Sequence, residues 1–244
     1  MTVLTREEVG AFASAGYVIR RRRLFDDRQL DELEDIFATL RTTRRGKLGD
    51  EFDTPHFDEP RLFAFLLSDE VLDLVQGLLG PDLILWSSHF ISKDPHVGRA
   101  TPWHEDSAYW KGRLDRYDKL VTVWLAVDRS DQDNGCMQVI PGSHRWGGFS
   151  EYRPVDRRRH TFGTEIVDLD VELAAPLELE RGQCSLHDGR IVHGASANLS
   201  DRRRLGYTMR YLAADVRLQP EANRGHRIWL ARGRNVAGNR CENA

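Results

Sequence analysis

Two imidazoles and one carboxylate in this chain are typed and spaced to hold a metal ion. His104 and Asp106 lie in Trp103-His104-Glu105-Asp106, and His193 lies in Ile191-Val192-His193-Gly194. On an extended strand, side chains two positions apart leave the same face. His104 and Asp106 are therefore expected to point at one spot, with His193 as the third donor. Two histidines and a carboxylate form the facial triad that holds non-haem Fe(II). Three protein donors leave coordination positions open, which marks a catalytic metal; a structural metal is usually closed off by protein. Among the other histidines, His187 in His187-Asp188-Gly189 reads as a turn before a strand. His144 belongs to the Pro141-Gly142-Ser143-His144 loop. His56, His89, His96, His160 and His226 have no partner pattern and read as structural or exposed.

The elements that must position these residues are legible in outline. Thr5-Arg6-Glu7-Glu8 is a capping box, opening a helix with Val9 and Phe12 on one face and Gly16 at its end. Tyr17-Val18-Ile19 follows as a short strand. Asp26 or Asp27 caps a second helix, whose Leu30, Leu33, Phe37 and Leu40 recur at helical spacing. Ser68-Asp69-Glu70 opens a third helix, with Val71, Leu72, Val75, Leu78 and Leu79, stopped by Gly80-Pro81. From residue 83 the texture changes to short runs rich in β-branched and aromatic residues, at 83–86, 120–127, 137–140, 191–192 and 205–212. Turns such as Asp133-Asn134-Gly135 separate them. Helices first and strands afterwards predict a β-sandwich or barrel with helices packed outside it.

One domain over residues 1–244 is expected, a helical part at 1–80 packed on a β core at 83–215. Residues 150–176 are polar and aperiodic, and read as a lid over the barrel mouth. No element is assigned to 213–244.

Composition narrows the setting. Hydrophobic residues at 40% supply a real core and exclude a disordered chain. A net charge of -3 argues against nucleic acid as a partner, and the arginine clusters at 20–23 and 157–159 read as solvated faces. No apolar run is long enough to cross a membrane, and Met1-Thr2-Val3-Leu4-Thr5-Arg6 lacks a leader pattern. Three widely spaced cysteines, Cys136, Cys184 and Cys241, indicate reduced thiols and a cytoplasmic setting, which suits a ferrous centre.

Read in order, several motifs resemble the phytanoyl-CoA dioxygenase family of Fe(II)- and 2-oxoglutarate-dependent oxygenases. They are Trp103-His104-x-Asp106, Asn134-Gly135 leading into Ile140-Pro141-Gly142-Ser143-His144, and His193-Gly194 with the arginines after it. The likeness includes the N-terminal helices and Gly16-Tyr17-Val18, and spans roughly residues 5–215. It implies a mainly β, double-stranded β-helix core (jelly-roll, cupin-like) with flanking N-terminal α-helices. It also implies Fe(II) on His104, Asp106 and His193, 2-oxoglutarate and O2 as cosubstrates, and ascorbate as a stimulant. Arg204, 11 residues after His193, would pair with the far carboxylate of 2-oxoglutarate. A planar guanidinium meets a carboxylate bidentately and stays charged when buried. Arg202 and Arg203 are decoys under this reading. Strand alternation puts Arg204, Gly206, Thr208 and Arg210 on one face, so Thr208 is a second cosubstrate contact. The resemblance adds Trp110 and Lys93 to the cosubstrate pocket; Trp124 reads as barrel core. One position departs from the family pattern: Ala195, followed by Ser196, stands where a serine usually contacts the cosubstrate. Thr208 or Tyr207 replaces that serine, or the cosubstrate binds more weakly.

The activity so implied is hydroxylation of an unactivated C–H bond in a small metabolite, with release of succinate and CO2. Asp106 separates the chain from halogenases that lack this carboxylate. Arg99, Arg113 and Arg210 favour an anionic substrate. A monomer or homodimer is expected, with neither nucleic acid nor membrane as partner. Two other classes stay open: a cupin-like zinc or manganese isomerase or hydrolase, which has no need of Arg204, and a non-catalytic barrel that senses 2-oxoglutarate.

Overall fold

The computed structural model describes residues 3–243; Met1, Thr2 and Ala244, the ends of the expected domain, lie outside them. In chain order the first part contains α1 (Arg6–Ala15), β1 (Tyr17–Arg20), α2 (Asp27–Thr43), β2 (Phe52–Asp53), α3 (Phe63–Leu66) and α4 (Asp69–Leu79). Next come β3 (Leu83–Lys93), β4 (Thr101–His104), α5 (Asp106–Tyr109), β5 (Leu120–Ala126) and β6 (Met137–Val139). The rest comprises β7 (Tyr152–Pro154), β8 (Thr164–Ile166), β9 (Ala175–Pro176), β10 (Cys184–Asp188), β11 (His193–Ala195), β12 (Arg204–Ala213) and β13 (Trp229–Arg232).

Local chemistry sets the helix ends. Both arms of the α1 capping box are made: the Glu8 amide donates to Thr5 Oγ1 at 3.1 Å, and the Thr5 amide to Glu8 Oε2 at 2.7 Å. Gly16 ends α1 in the left-handed region. Asp26 caps α2 and Ser68 caps α4.

Two antiparallel sheets form the core. The larger has the order β1-β10-β5-β12-β3-β13, with β2 also paired to β3; the smaller has the order β4-β11-β6-β9. This is the expected jelly-roll. Alternation along its strands separates two jobs. On β12, Leu205, Tyr207, Met209 and Tyr211 face outward and join the cluster built by Leu30, Leu33, Ile36 and Phe37 of α2 with Val71, Leu72 and Val75 of α4. The intervening Arg204, Thr208 and Arg210 line an internal cavity. Val121, Val123 and Leu125 of β5 likewise face the helices, while Thr122 and Trp124 line the cavity. Covering both faces leaves every residue of β5 and β12 buried.

Four features differ from the sequence reading. The run at 191–192 is a bend, and the strand begins at His193. His187-Asp188 is the end of β10, because pairing with β1 and β5 extends a segment whose sequence looks turn-like. The 150–176 excursion contains a β7–β8 hairpin. The β core runs past residue 215: β13 pairs with the edge of β3, and Val216, Ile228 and Trp229 are buried.

Candidate functional site

The three donors meet. β4 and β11 are neighbours in the small sheet, and His104 and His193 face each other directly in its register. Asp106 is no longer on the strand; it is the first residue of α5. Glu105 is still extended (φ -115°, ψ 132°), so the two-residue alternation carries through to Asp106. One donor atom from each of His104, Asp106 and His193 lies within 4.8 Å of the others, and all three residues are buried.

Backbone hydrogen bonds orient both rings. His104 Nδ1–H donates to the Pro102 carbonyl at 2.8 Å, and His193 Nδ1–H to the Ile191 carbonyl at 3.0 Å. Each ring is held by the carbonyl two residues before it, which leaves Nε2 as the free donor. Burial, and next the neighbouring His104, push the His193 pKa well below its ordinary value, favouring the neutral ring a metal needs. For Asp106, burial alone would raise the pKa. Arg210, then His104 and His193, more than offset it and hold the carboxyl well below the usual range.

The two carboxylate oxygens of Asp106 have different tasks. Oδ2 accepts from Arg210 Nε at 3.1 Å and from Thr122 Oγ1 at 3.3 Å. Oδ1 faces His104 Nε2 at 3.7 Å. One oxygen is thus tied to the large sheet, and the other is available to a cation. The donor set and its tautomers fit a divalent transition metal.

The far end of the cavity carries Arg204, 2% exposed. Its Nη1 donates to the Gly135 carbonyl at 3.0 Å, its Nε has no partner among the described residues, and its guanidinium lies over the Trp124 ring at 5.2 Å. No carboxylate pairs with it among the described residues. Burial lowers its pKa to about 10, which still leaves it charged near neutrality. A buried cation without a counter-ion fits a site for an anionic ligand. Arg202 and Arg203, the decoys, pair with Asp131 and with Asp128 and Glu34.

Trp124 is both core and cavity wall, and Gly206 makes room for it. A Cβ on Gly206 would sit 2.2 Å from the indole. Gly206→Ala is therefore expected to displace Trp124 from beneath Arg204 and weaken 2-oxoglutarate binding about tenfold, with less effect on metal affinity. Calorimetric titration of each ligand checks this.

Two expected cosubstrate contacts are elsewhere. Lys93 is fully buried beside Arg204, but its ammonium donates to the carbonyls of Ala195 (3.2 Å) and Ser196 and is not part of the cavity wall. Those two carbonyls hold the Lys93 side chain away from the cavity. Trp110 packs edge-on against Trp86 and lies under the Arg210 guanidinium at 5.6 Å, because α5 turns it behind Asp106. Thr208 does line the cavity, with Oγ1 donating to the His89 carbonyl. Of the arginines expected to favour an anion, Arg99 is occupied by Asp50 and Glu51, and Arg113 by Asn223 and the Trp86 ring; Arg210 faces the cavity.

Several wall residues were not singled out from sequence. His187 lines the cavity 5.1 Å from the His193 ring, and burial lowers its pKa to about 4. His89 lines it too. From the 150–176 excursion, Phe162 packs edge-on against His104 at 5.0 Å and at a tilt against Tyr109 at 5.1 Å, roofing the site. Glu105, between two triad members, anchors that excursion by accepting from the Ser150 amide at 2.7 Å. A carboxylate flanked by metal-site residues was the available signal for Glu105; Phe162 had none.

The chain is similar to known proteins. Residues 2–206 match the family model described as phytanoyl-CoA dioxygenase. A phytanoyl-CoA dioxygenase domain-containing protein 1 homolog from Caenorhabditis briggsae is 30% identical over 161 residues, covering 63% of this chain and 55% of that protein. A probable alpha-ketoglutarate-dependent hypophosphite dioxygenase from Stutzerimonas stutzeri is 29% identical over 175 residues, covering 70% of this chain and 59% of that one. The apo structure of the non-heme monooxygenase ThoJ superposes with a TM-score of 0.79 at 24% identity, over 96% of this chain and 87% of that chain, and shares the fold. The chain thus spans little more than half the length of the first curated relatives it matches.

Proposed function

From the premise that this chain belongs to the phytanoyl-CoA dioxygenase family, we propose that it is an Fe(II)- and 2-oxoglutarate-dependent dioxygenase that hydroxylates a C–H bond of a small metabolite. One oxygen atom of O2 enters the substrate as hydroxyl; the other enters succinate as 2-oxoglutarate loses CO2. The observation that carries the reading is the pairing of a convergent His104–Asp106–His193 set with a buried Arg204 that has no counter-ion among the described residues. A cupin-like isomerase or hydrolase has no use for that lone guanidinium at the cavity's far end. One relative is named for hypophosphite, a small anion.

His104, Asp106 and His193 would hold the iron, which supplies the oxidising chemistry when bound. The chain's own residues do the rest. The Pro102 and Ile191 carbonyls keep both imidazoles in the ligating tautomer. Arg204 and Thr208 would hold the far carboxylate of the cosubstrate against the Trp124 wall. Phe162 and Tyr109 would keep bulk water from the reacting centre.

With Fe(II), 2-oxoglutarate, O2 and ascorbate, the protein is expected to release succinate slowly even without substrate. In His193→Ala the release should drop to the rate of protein-free controls. Equal succinate from wild type and variant would sink the proposal.

A further inference from the structure

We propose that Arg210 and His187, flanking Thr122, seat an oxyanion group of the substrate beside the metal; the substrate class is small organic anions bearing a carboxylate, phosphonate or sulfonate. The proposal rests on the oxygenase reading and adds to it the substrate's chemistry.

Arg210, Thr122 and His187 form one row across three adjacent strands: Arg210 pairs with Thr122 between β12 and β5, and Thr122 with His187 between β5 and β10. All three line the cavity. The row is six positions along β12 from Arg204, roughly 20 Å of strand. It is therefore a second polar end, separate from the one that fits the far carboxylate of 2-oxoglutarate.

Two observations indicate an anion there. Arg210 uses Nε on Asp106 Oδ2, and its terminal Nη groups have no partner among the described residues. His187 is buried with both Nδ1 and Nε2 unpartnered among the described residues. A buried polar group left unpaired is costly, so His187 is in need of a partner, and the Arg210 Nη donors reach the same cavity. Thr122 is already committed to Asp106. An oxyanion accepts from a guanidinium edge and an imidazole N–H together, and a hydrocarbon substrate satisfies neither. Charge leads to the same conclusion. The charged side chains lining the cavity, Asp106, Arg204 and Arg210, together with a divalent cation and dianionic 2-oxoglutarate, leave one net positive charge. A monoanionic head group cancels it. Phe162 and Tyr109, on the roof, offer apolar cover for the carbon part.

The test uses the full chain loaded with Mn(II) and 2-oxoglutarate, with acetate and methylphosphonate as probes and acetamide as the neutral control. Thermal unfolding and direct 2-oxoglutarate titration are the readouts. Acetate or methylphosphonate should raise the melting temperature of the loaded protein saturably, and acetamide should not. His187→Leu, which removes two unpaired nitrogens and should fold at least as well as wild type, should weaken the apparent anion affinity about tenfold. Arg210→Lys, which keeps a positive charge beside Asp106 but loses the planar fork, should weaken it comparably. The proposal is overturned if the anions do no better than acetamide. It is also overturned if they act by displacing 2-oxoglutarate, or if both variants respond as wild type does. If Mn(II) and 2-oxoglutarate themselves fail to stabilise the wild-type protein, the oxygenase reading fails instead.

Discussion

Arg204→Met should abolish saturable 2-oxoglutarate binding and, in the same variant, raise the melting temperature of the metal-free protein. Both effects follow from one fact: the guanidinium is buried, and among the described residues its only hydrogen-bond partner is a neutral carbonyl. An unpaired buried charge carries a residual penalty of several kcal/mol even after local relaxation. Methionine fills similar space without a charge, and its sulfur packs well against Trp124. A gain of about 1–3 kcal/mol is reasonable, worth roughly 2–4 °C per kcal/mol in a chain of this size. The bound state responds in the opposite direction. A charge-assisted bidentate contact contributes about 1.5–3 kcal/mol per hydrogen bond, so losing it should weaken the cosubstrate by at least about a hundredfold. Thermal melts with and without Mn(II) and 2-oxoglutarate read both effects. Wild-type affinity in the variant would place the anion elsewhere.

Asp106→Ala is expected to lose metal binding and destabilise the apo protein, the opposite stability sign from Arg204→Met. Asp106 offers one oxygen to the proposed metal site and neutralises Arg210 through the other. Removing one member of a buried pair leaves the other charge uncompensated, at a cost of about 3–5 kcal/mol. Metal affinity should fall by more than the roughly 10–100-fold typical of losing a mere supporting partner of a ligand. Because the folded carboxyl pKa lies below its unfolded value near ~3.9, the stabilisation is present at neutral pH. It is lost only as pH falls through the folded value. Metal titration and denaturant melts of Asp106→Ala, with Asp106→Asn for shape, measure these quantities. Wild-type metal affinity in the alanine variant would remove Asp106 from the centre.

The helix caps, the inward alternation of Arg204, Thr208 and Arg210, and the two-residue step from His104 to Asp106 were all legible in the amino-acid sequence. Each depends on interactions within about four residues or on the fixed pleat of a strand. Those rules do not depend on which distant segment becomes the neighbour. The opposition of His104 and His193 across a strand pair, and the orphaned nitrogens of His187, arise only when segments nearly ninety residues apart take one register. The same holds for Phe162 over His104, which needs the excursion to fold back onto the small sheet. Lys93 and Trp110 show the limit most clearly. Their positions along the chain place them near the site, but the Ala195 and Ser196 carbonyls hold one side chain aside and the other packs against Trp86. Side-chain direction at such points is decided by tertiary competition for hydrogen bonds and packing, which local sequence does not encode.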